Sequence, residues 1–170
     1  MIRSKINWKI TPQVVDLIRH AQTDFNIKKD LVTKDISINQ TGFEQCIDLE
    51  HNKNYDVVIC SPMKRCQETL SHIRGITFNK VIYSELCREH KIKNCDFLVD
   101  EDETQLETEE QLLERVGKFK SFLTDFQNQS VLIVSHGDFI WYFTSKLVND
   151  ERFGQWLDNC HLYQFTIQDS

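Results

Sequence analysis

The chain has little of what marks linkers, secreted scaffolds or membrane spans. Two prolines and five glycines in 170 residues leave no stretch of linker composition. One domain over residues 1–170, with its core at roughly 14–167, is therefore expected. No run approaches the ~20 apolar residues of a membrane span. Residues 1–8 carry charge but no apolar run long enough for a secretory leader. The six cysteines, Cys46, Cys60, Cys66, Cys87, Cys95 and Cys160, include no C-x-x-C pair, so the spacing of a zinc site is missing. They read as reduced, buried thiols, and the expected setting is the cytoplasm. Positive charge is also in deficit, 20 Lys and Arg against 26 Asp and Glu, for a net charge of -6. That argues against duplex nucleic acid or an anionic membrane as a partner. A small anion is not excluded, because a few local arginines can outweigh a distant negative surface. Nothing in the sequence calls for a cofactor or a metal, and oligomeric state is not legible.

What is present is an alternation of strand and helix signals. Residues 14–18, 57–60, 78–83 and 131–134 are short β-branched or apolar runs that read as strands. Between them, 41–49 and 63–73 suit helices, the second opened by Ser61-Pro62, where serine can cap and proline can take the first turn. Leu112, Val116, Phe119, Leu123 and Phe126 fall at spacings of four and three, so a long helix is expected over about 105–126. A further helix is expected over 137–147 and a last strand over 161–167. The aromatic residues Phe139, Trp141, Tyr142 and Phe143 read as helix packing, and the acidic stretch 100–114 as a solvated approach to its helix. The pattern predicts an α/β fold, a three-layer α/β/α sandwich with a largely parallel central sheet.

In such sheets ligands gather beyond the carboxyl ends of the strands. Three groups of residues fall there. Arg19-His20 follows the first strand, Arg65 lies in the first turn after the second, and His136-Gly137 follows the run 131–135. Together they form a cationic bowl suited to a phosphoryl group. Arginine offers a planar fork of donors and a permanent charge. A neutral imidazole can attack phosphorus and depart later. Surrounding cations stabilise charge on the equatorial oxygens and keep the imidazole neutral. Gly137, at a helix start, can add a backbone N–H. A leaving alkoxide needs a proton, and Glu85 and Glu89 are both placed to supply it. Chemistry alone does not choose between them. A Ser135-His136-Asp138 hydrolase triad is excluded, because adjacent residues form no nucleophile elbow and no G-x-S-x-G occurs.

Leu17-Ile18-Arg19-His20-Ala21-Gln22-Thr23 resembles the N-terminal signature of the histidine phosphatase superfamily, the phosphoglycerate mutase-like proteins. Ser61-Pro62-Met63-Lys64-Arg65-Cys66-Gln67-Glu68-Thr69 is similar to that family's second motif, and Val134-Ser135-His136-Gly137 to its third. The resemblance implies His20 as a phosphorylated nucleophile, with Arg19, Arg65 and His136 binding phosphate. Asn26 matches a pocket position of the family, and Thr23 shares its loop. Glu85-Leu86-Cys87-Arg88-Glu89 resembles the segment that carries the family's proton donor, which favours Glu89. Two departures stand out. Ala21 replaces the usual glycine after the histidine, as in one branch of the family, and Lys91-Ile92-Lys93-Asn94-Cys95-Asp96 replaces a glycine-containing stretch. The implied function is metal-independent hydrolysis of a small phosphorylated substrate. A phosphoglycerate mutase is the alternative enzyme, less favoured because a chain of this length has little room for capping insertions. A catalytically silent phosphate-binding protein is the alternative of another class.

Overall fold

The computed structural model describes residues 12–167, so the segment 1–8 weighed above lies outside them. The central sheet contains β1 (Gln13–Arg19), β2 (Lys53–Cys60), β3 (Ile76–Tyr83), β4 (Val131–Ser135) and β7 (Leu162–Ile167), in the order β3-β2-β4-β1-β7. The β1–β4, β2–β4 and β2–β3 pairs are parallel, and β7 runs antiparallel to β1. A right-handed crossover between parallel neighbours needs a covering layer, and four helices supply it: α1 (Gln40–Asp48), α2 (Lys64–His72), α3 (Glu109–Leu123) and α4 (Gly137–Thr144).

Strand alternation divides the core into two layers. Val15, Leu17, Val57, Ile59, Val131 and Ile133 face α3 and α4, where Leu112, Val116, Phe119, Leu123, Phe139 and Phe143 are buried. Ile18, Val58, Cys60, Leu132 and Val134 face the other way, onto Cys46 of α1 and Cys66 and Leu70 of α2. The predicted three-layer sandwich is the architecture observed. β4, buried at all five positions, is the continuously apolar strand that a sheet covered on both faces requires. The aromatic stripe packs as expected, with the Phe119 ring 5.5 Å from Phe139 and 5.7 Å from Phe143. All six cysteines are free and buried.

Two helices are shorter than the sequence reading has them. The long helix begins at Glu109, not near 105, because Thr108 and Gln111 form a reciprocal capping box that stops it there. It ends at Leu123, and the chain tightens into a 3₁₀ turn over Thr124–Phe126. The helix expected to run to 147 stops at Thr144, since Ser145 is extended. The chain turns instead into a hairpin, β5 (Lys146–Val148) and β6 (Glu151–Phe153). Asn149 and Asp150 both take positive φ there, the conformation of a two-residue hairpin turn.

The acidic stretch is not merely solvated. Glu101 pairs with Arg88 at 2.6 Å and Glu107 with Arg115 at 2.7 Å, both arginines being largely buried. Arg115 also donates to the carbonyls of Leu86, Arg88 and Glu89. Part of the acidic excess therefore neutralises a clamp on the loop after β3. Among the described residues, no helix is long and apolar enough to cross a membrane.

Candidate active site

The parallel ladder continues one residue beyond three strand ends. His20 N–H donates to the Ser135 carbonyl at 3.0 Å, Ser61 N–H to Val134 at 3.0 Å and Ser84 N–H to Cys60 at 2.9 Å. The loops that hold the candidate residues are thus fixed by sheet hydrogen bonds at one rim. A small cavity of about 50 Å³ opens there, lined by Arg19, His20, Thr23, Asn26, Arg65 and Glu89 from the sequence reading. Phe25, Lys93, Cys95, Asp96, Asp138 and Trp156 complete the wall. The sequence reading singled out none of these six as a site residue.

His20 is 4% exposed, and its Nδ1 lies 2.8 Å from its neighbour's carbonyl, Ala21 O. A carbonyl only accepts, so Nδ1 carries the proton and Nε2 keeps its lone pair. Burial, then the charges of Arg65 and Arg19, hold the imidazolium pKa well below its ordinary 6.5. The ring is a neutral base at pH 7. Ala21 is fully buried in the apolar layer with Ile18 and Cys46; its methyl is not part of the cavity wall, and its N–H donates to Thr69 Oγ1 at 2.8 Å. Alanine therefore fits where glycine is usual.

The cations are held by protein groups on one side and left with donors on the other. Arg65, 2% exposed, donates to the Cys95 carbonyl at 2.7 Å and to Asp96 at 3.2 Å. Asp96 in turn accepts from the Lys93 backbone at 2.9 Å. Arg19 donates to the Leu157 carbonyl at 3.0 Å and lies 4.8 Å over the Trp156 ring. Its Nε is buried without a protein partner, and so is His136 Nδ1. His136 is fully buried behind His20, ring centroids 5.3 Å apart, and its Nε2 meets Ser61 Oγ at 2.8 Å. If Ser61 donates there, Nδ1 bears the proton. Buried donors without acceptors are costly, about 1–3 kcal/mol each, and two of them beside one imidazole suit an anion's oxygens.

The two candidate acids sit in different surroundings. Glu85 is 65% exposed at its side chain and pairs with Arg88. Glu89 lines the cavity and caps α4, accepting from Asp138 N at 3.1 Å and Phe139 N at 2.8 Å. Burial, reinforced by Asp138 and Asp96, raises its pKa from 4.5 to about 7 against the pull of these amides. Two of the helix-start donors are thereby taken by Glu89. Gly137 serves a packing need as well, since a Cβ there would stand 2.8 Å from the Trp156 ring and 3.1 Å from Arg19 Nε. Thr23 and Asn26 brace each other: Thr23 N–H and Oγ1 both donate to Asn26 Oδ1, at 2.9 and 3.1 Å. Asn159 adds a third donor at 3.2 Å, so the Asn26 amide nitrogen is the end left for a ligand.

This is an α/β protein whose sheet rim presents a neutral imidazole among guanidinium groups. The chain belongs to the histidine phosphatase superfamily (branch 1), whose model matches residues 15–105. A broad-specificity phosphatase of Saccharomyces cerevisiae is 46% identical over 59 residues, 31% of this chain; the match spans only 26% of that relative's length. Among solved structures, an Escherichia coli protein assigned as an α-ribazole-5′-phosphate phosphatase has a TM-score of 0.63 at 19% identity, over 86% of this chain and 97% of that one. A mycobacterial glucosyl-3-phosphoglycerate phosphatase solved with vanadate has a TM-score of 0.61 at 15% identity, over 89% and 90%. These two likenesses show a shared fold.

Proposed function

We propose that the protein is a metal-independent phosphomonoesterase that works through a phosphohistidine on a small phosphorylated substrate. The observation that carries this reading is the neutral His20 ring, with Nδ1 tied to Ala21 O, beside two buried nitrogens, Arg19 Nε and His136 Nδ1, without protein partners.

In the first step His20 Nε2 attacks phosphorus while the bond to the leaving oxygen breaks. The transferring oxygens lie against Arg19, Arg65 and the His136 Nδ1–H, whose positive charge and dipoles stabilise the transition state. Glu89, half protonated near pH 7, gives its proton to the leaving oxygen. In the second step the Glu89 carboxylate takes a proton from water, the water oxygen bonds to phosphorus, and His20 leaves as a neutral ring. Inorganic phosphate is released and Glu89 is protonated again. Trp156, at the cavity wall, is 50% exposed, so water has a route to the intermediate. That supports hydrolysis over return of the phosphate to a second hydroxyl. The phosphatase names of the relatives agree with it, and the small cavity fits the phosphoryl group with the remainder of the substrate outside.

The test is turnover of p-nitrophenyl phosphate in EDTA. Wild type releases phosphate, His20→Ala does not, and brief acid-free quenching with labelled substrate traps a phosphoramidate on the wild-type chain alone. Undiminished turnover by His20→Ala would overturn the assignment.

A further inference from the structure

A second, larger pocket lies at the carboxyl end of α4, whose start adjoins the catalytic cavity. It measures about 590 Å³, within the range that holds small organic ligands. Its apolar part is formed by Leu113 and Val116 of α3 and Phe165 of β7, with Leu147 of the hairpin over it. Its charged part is Lys120, Lys146 and Arg152. Among the described residues, no carboxylate lines the wall, in a chain whose net charge is -6. Tyr142, which lines the pocket, donates its hydroxyl to Glu109 at 2.8 Å.

Two further details single the pocket out. Lys120 is half-buried, its ammonium 5.7 Å from the Phe143 ring, and burial and the neighbouring Arg152 both disfavour its charge. Arg152 itself donates to Ser145 Oγ at 2.9 Å and keeps the rest of its fork. Gly117 occupies the interior of α3 and joins the wall. Glycine weakens a helix interior, and no tight packing requires it, since a Cβ there would meet nothing within 4 Å. Its effect is to widen the pocket.

We propose that this pocket is a ligand site for an organic anion with an apolar body. The body would lie along Val116, Gly117 and Phe165, and the anionic head between Lys120 and Arg152. Carboxylate and sulfonate heads share this chemistry. A ligand there contacts the end of α4 at Thr144 and Ser145, while the start of the same helix holds Glu89. The site is separate from the catalytic cavity, whose wall shares no residue with it.

Calorimetric titration of the whole chain with octanoate, and with octanol as the uncharged comparator, tests the proposal. Saturable one-to-one binding of octanoate, absent for octanol and unaffected by orthovanadate, is expected. Lys120→Met keeps the apolar stem and should weaken octanoate about tenfold or more. Gly117→Leu keeps every charge, fills the pocket and should abolish binding. Both variants should turn over p-nitrophenyl phosphate as wild type does, which also shows that they fold. The proposal fails if octanoate does not saturate, if octanol binds equally, if vanadate displaces octanoate, or if Gly117→Leu binds unchanged.

Discussion

Replacing Glu89 by glutamine removes the proton it can donate and keeps one of the two oxygens that cap α4. Glu89 titrates at about 7, above its ordinary value, so the acid form prevails below that pH and is lost above it. For an alkyl phosphate kcat/KM, which reports the first step, should be level on the acid side, because His20 stays neutral well below 6.5. Above pH 7 it should fall about tenfold per unit. At pH 9 about 1% of Glu89 retains its proton, which makes the drop from pH 7 about fifty-fold. Glutamine cannot donate a proton, so Glu89→Gln should slow alkyl phosphates by roughly 10²–10⁴, or about 3–5 kcal/mol in the barrier. p-Nitrophenolate leaves as a stable anion near neutral pH and needs little help, so that substrate should lose about tenfold or less. Steady-state kcat/KM for glycerol phosphate and p-nitrophenyl phosphate across pH 5–9 makes the comparison. Equal losses on both substrates, or an alkaline limb near 7 surviving in the variant, would refute the reasoning. Glu89 would then be a helix cap without an acid's role.

Arg115→Met should remove the donors to three loop carbonyls and strand Glu107, costing about 3 kcal/mol in urea unfolding and lowering kcat more than it raises KM. Asp96→Asn takes the charge partner from Arg65; vanadate affinity measured by competition should drop about tenfold. Phe119→Ala, at a fully buried position packed on Phe139 and Phe143, should cost about 4 kcal/mol in the same unfolding assay.

What the sequence discloses is what local pattern encodes. The β-branched runs at 14–18 and 131–134 became buried strands because no other structure hides both faces of so short a run. The residues at their carboxyl ends, Arg19, His20 and His136, follow from that placement and from the family's motifs. The hairpin at 146–153 escaped because Lys146 and Leu147 continue the helical spacing of α4. Only Asn149-Asp150, a pair suited to positive φ, marks the reversal. The late start of α3 was written in Thr108 and Gln111, whose capping spacing outweighs the good helix formers before it. Trp156 and Leu157 could not be tied to Arg19 by any local rule, since the bond to Leu157 spans 138 positions. Arg88 and Arg115 carry ordinary surface residue types, and only the fold shows that they are buried among carbonyls and acids.

The order of the sheet has a consequence for how the chain is made. β1, which ends just before His20, lies between β4 and β7, and both arrive late. Roughly 110 residues separate the end of β1 from the start of β4. At about 5–20 residues per second of synthesis, that is on the order of 5–20 s during which β1 has neither neighbour. Its buried run, Val15, Leu17 and Ile18 around Asp16, is for that interval an unpaired strand with two open edges. A nascent chain stalled before β4 therefore holds Arg19 and His20 but no site. It carries a strand with both edges open to pairing, and residues 131–167 supply both His136 and the two strands that cover those edges.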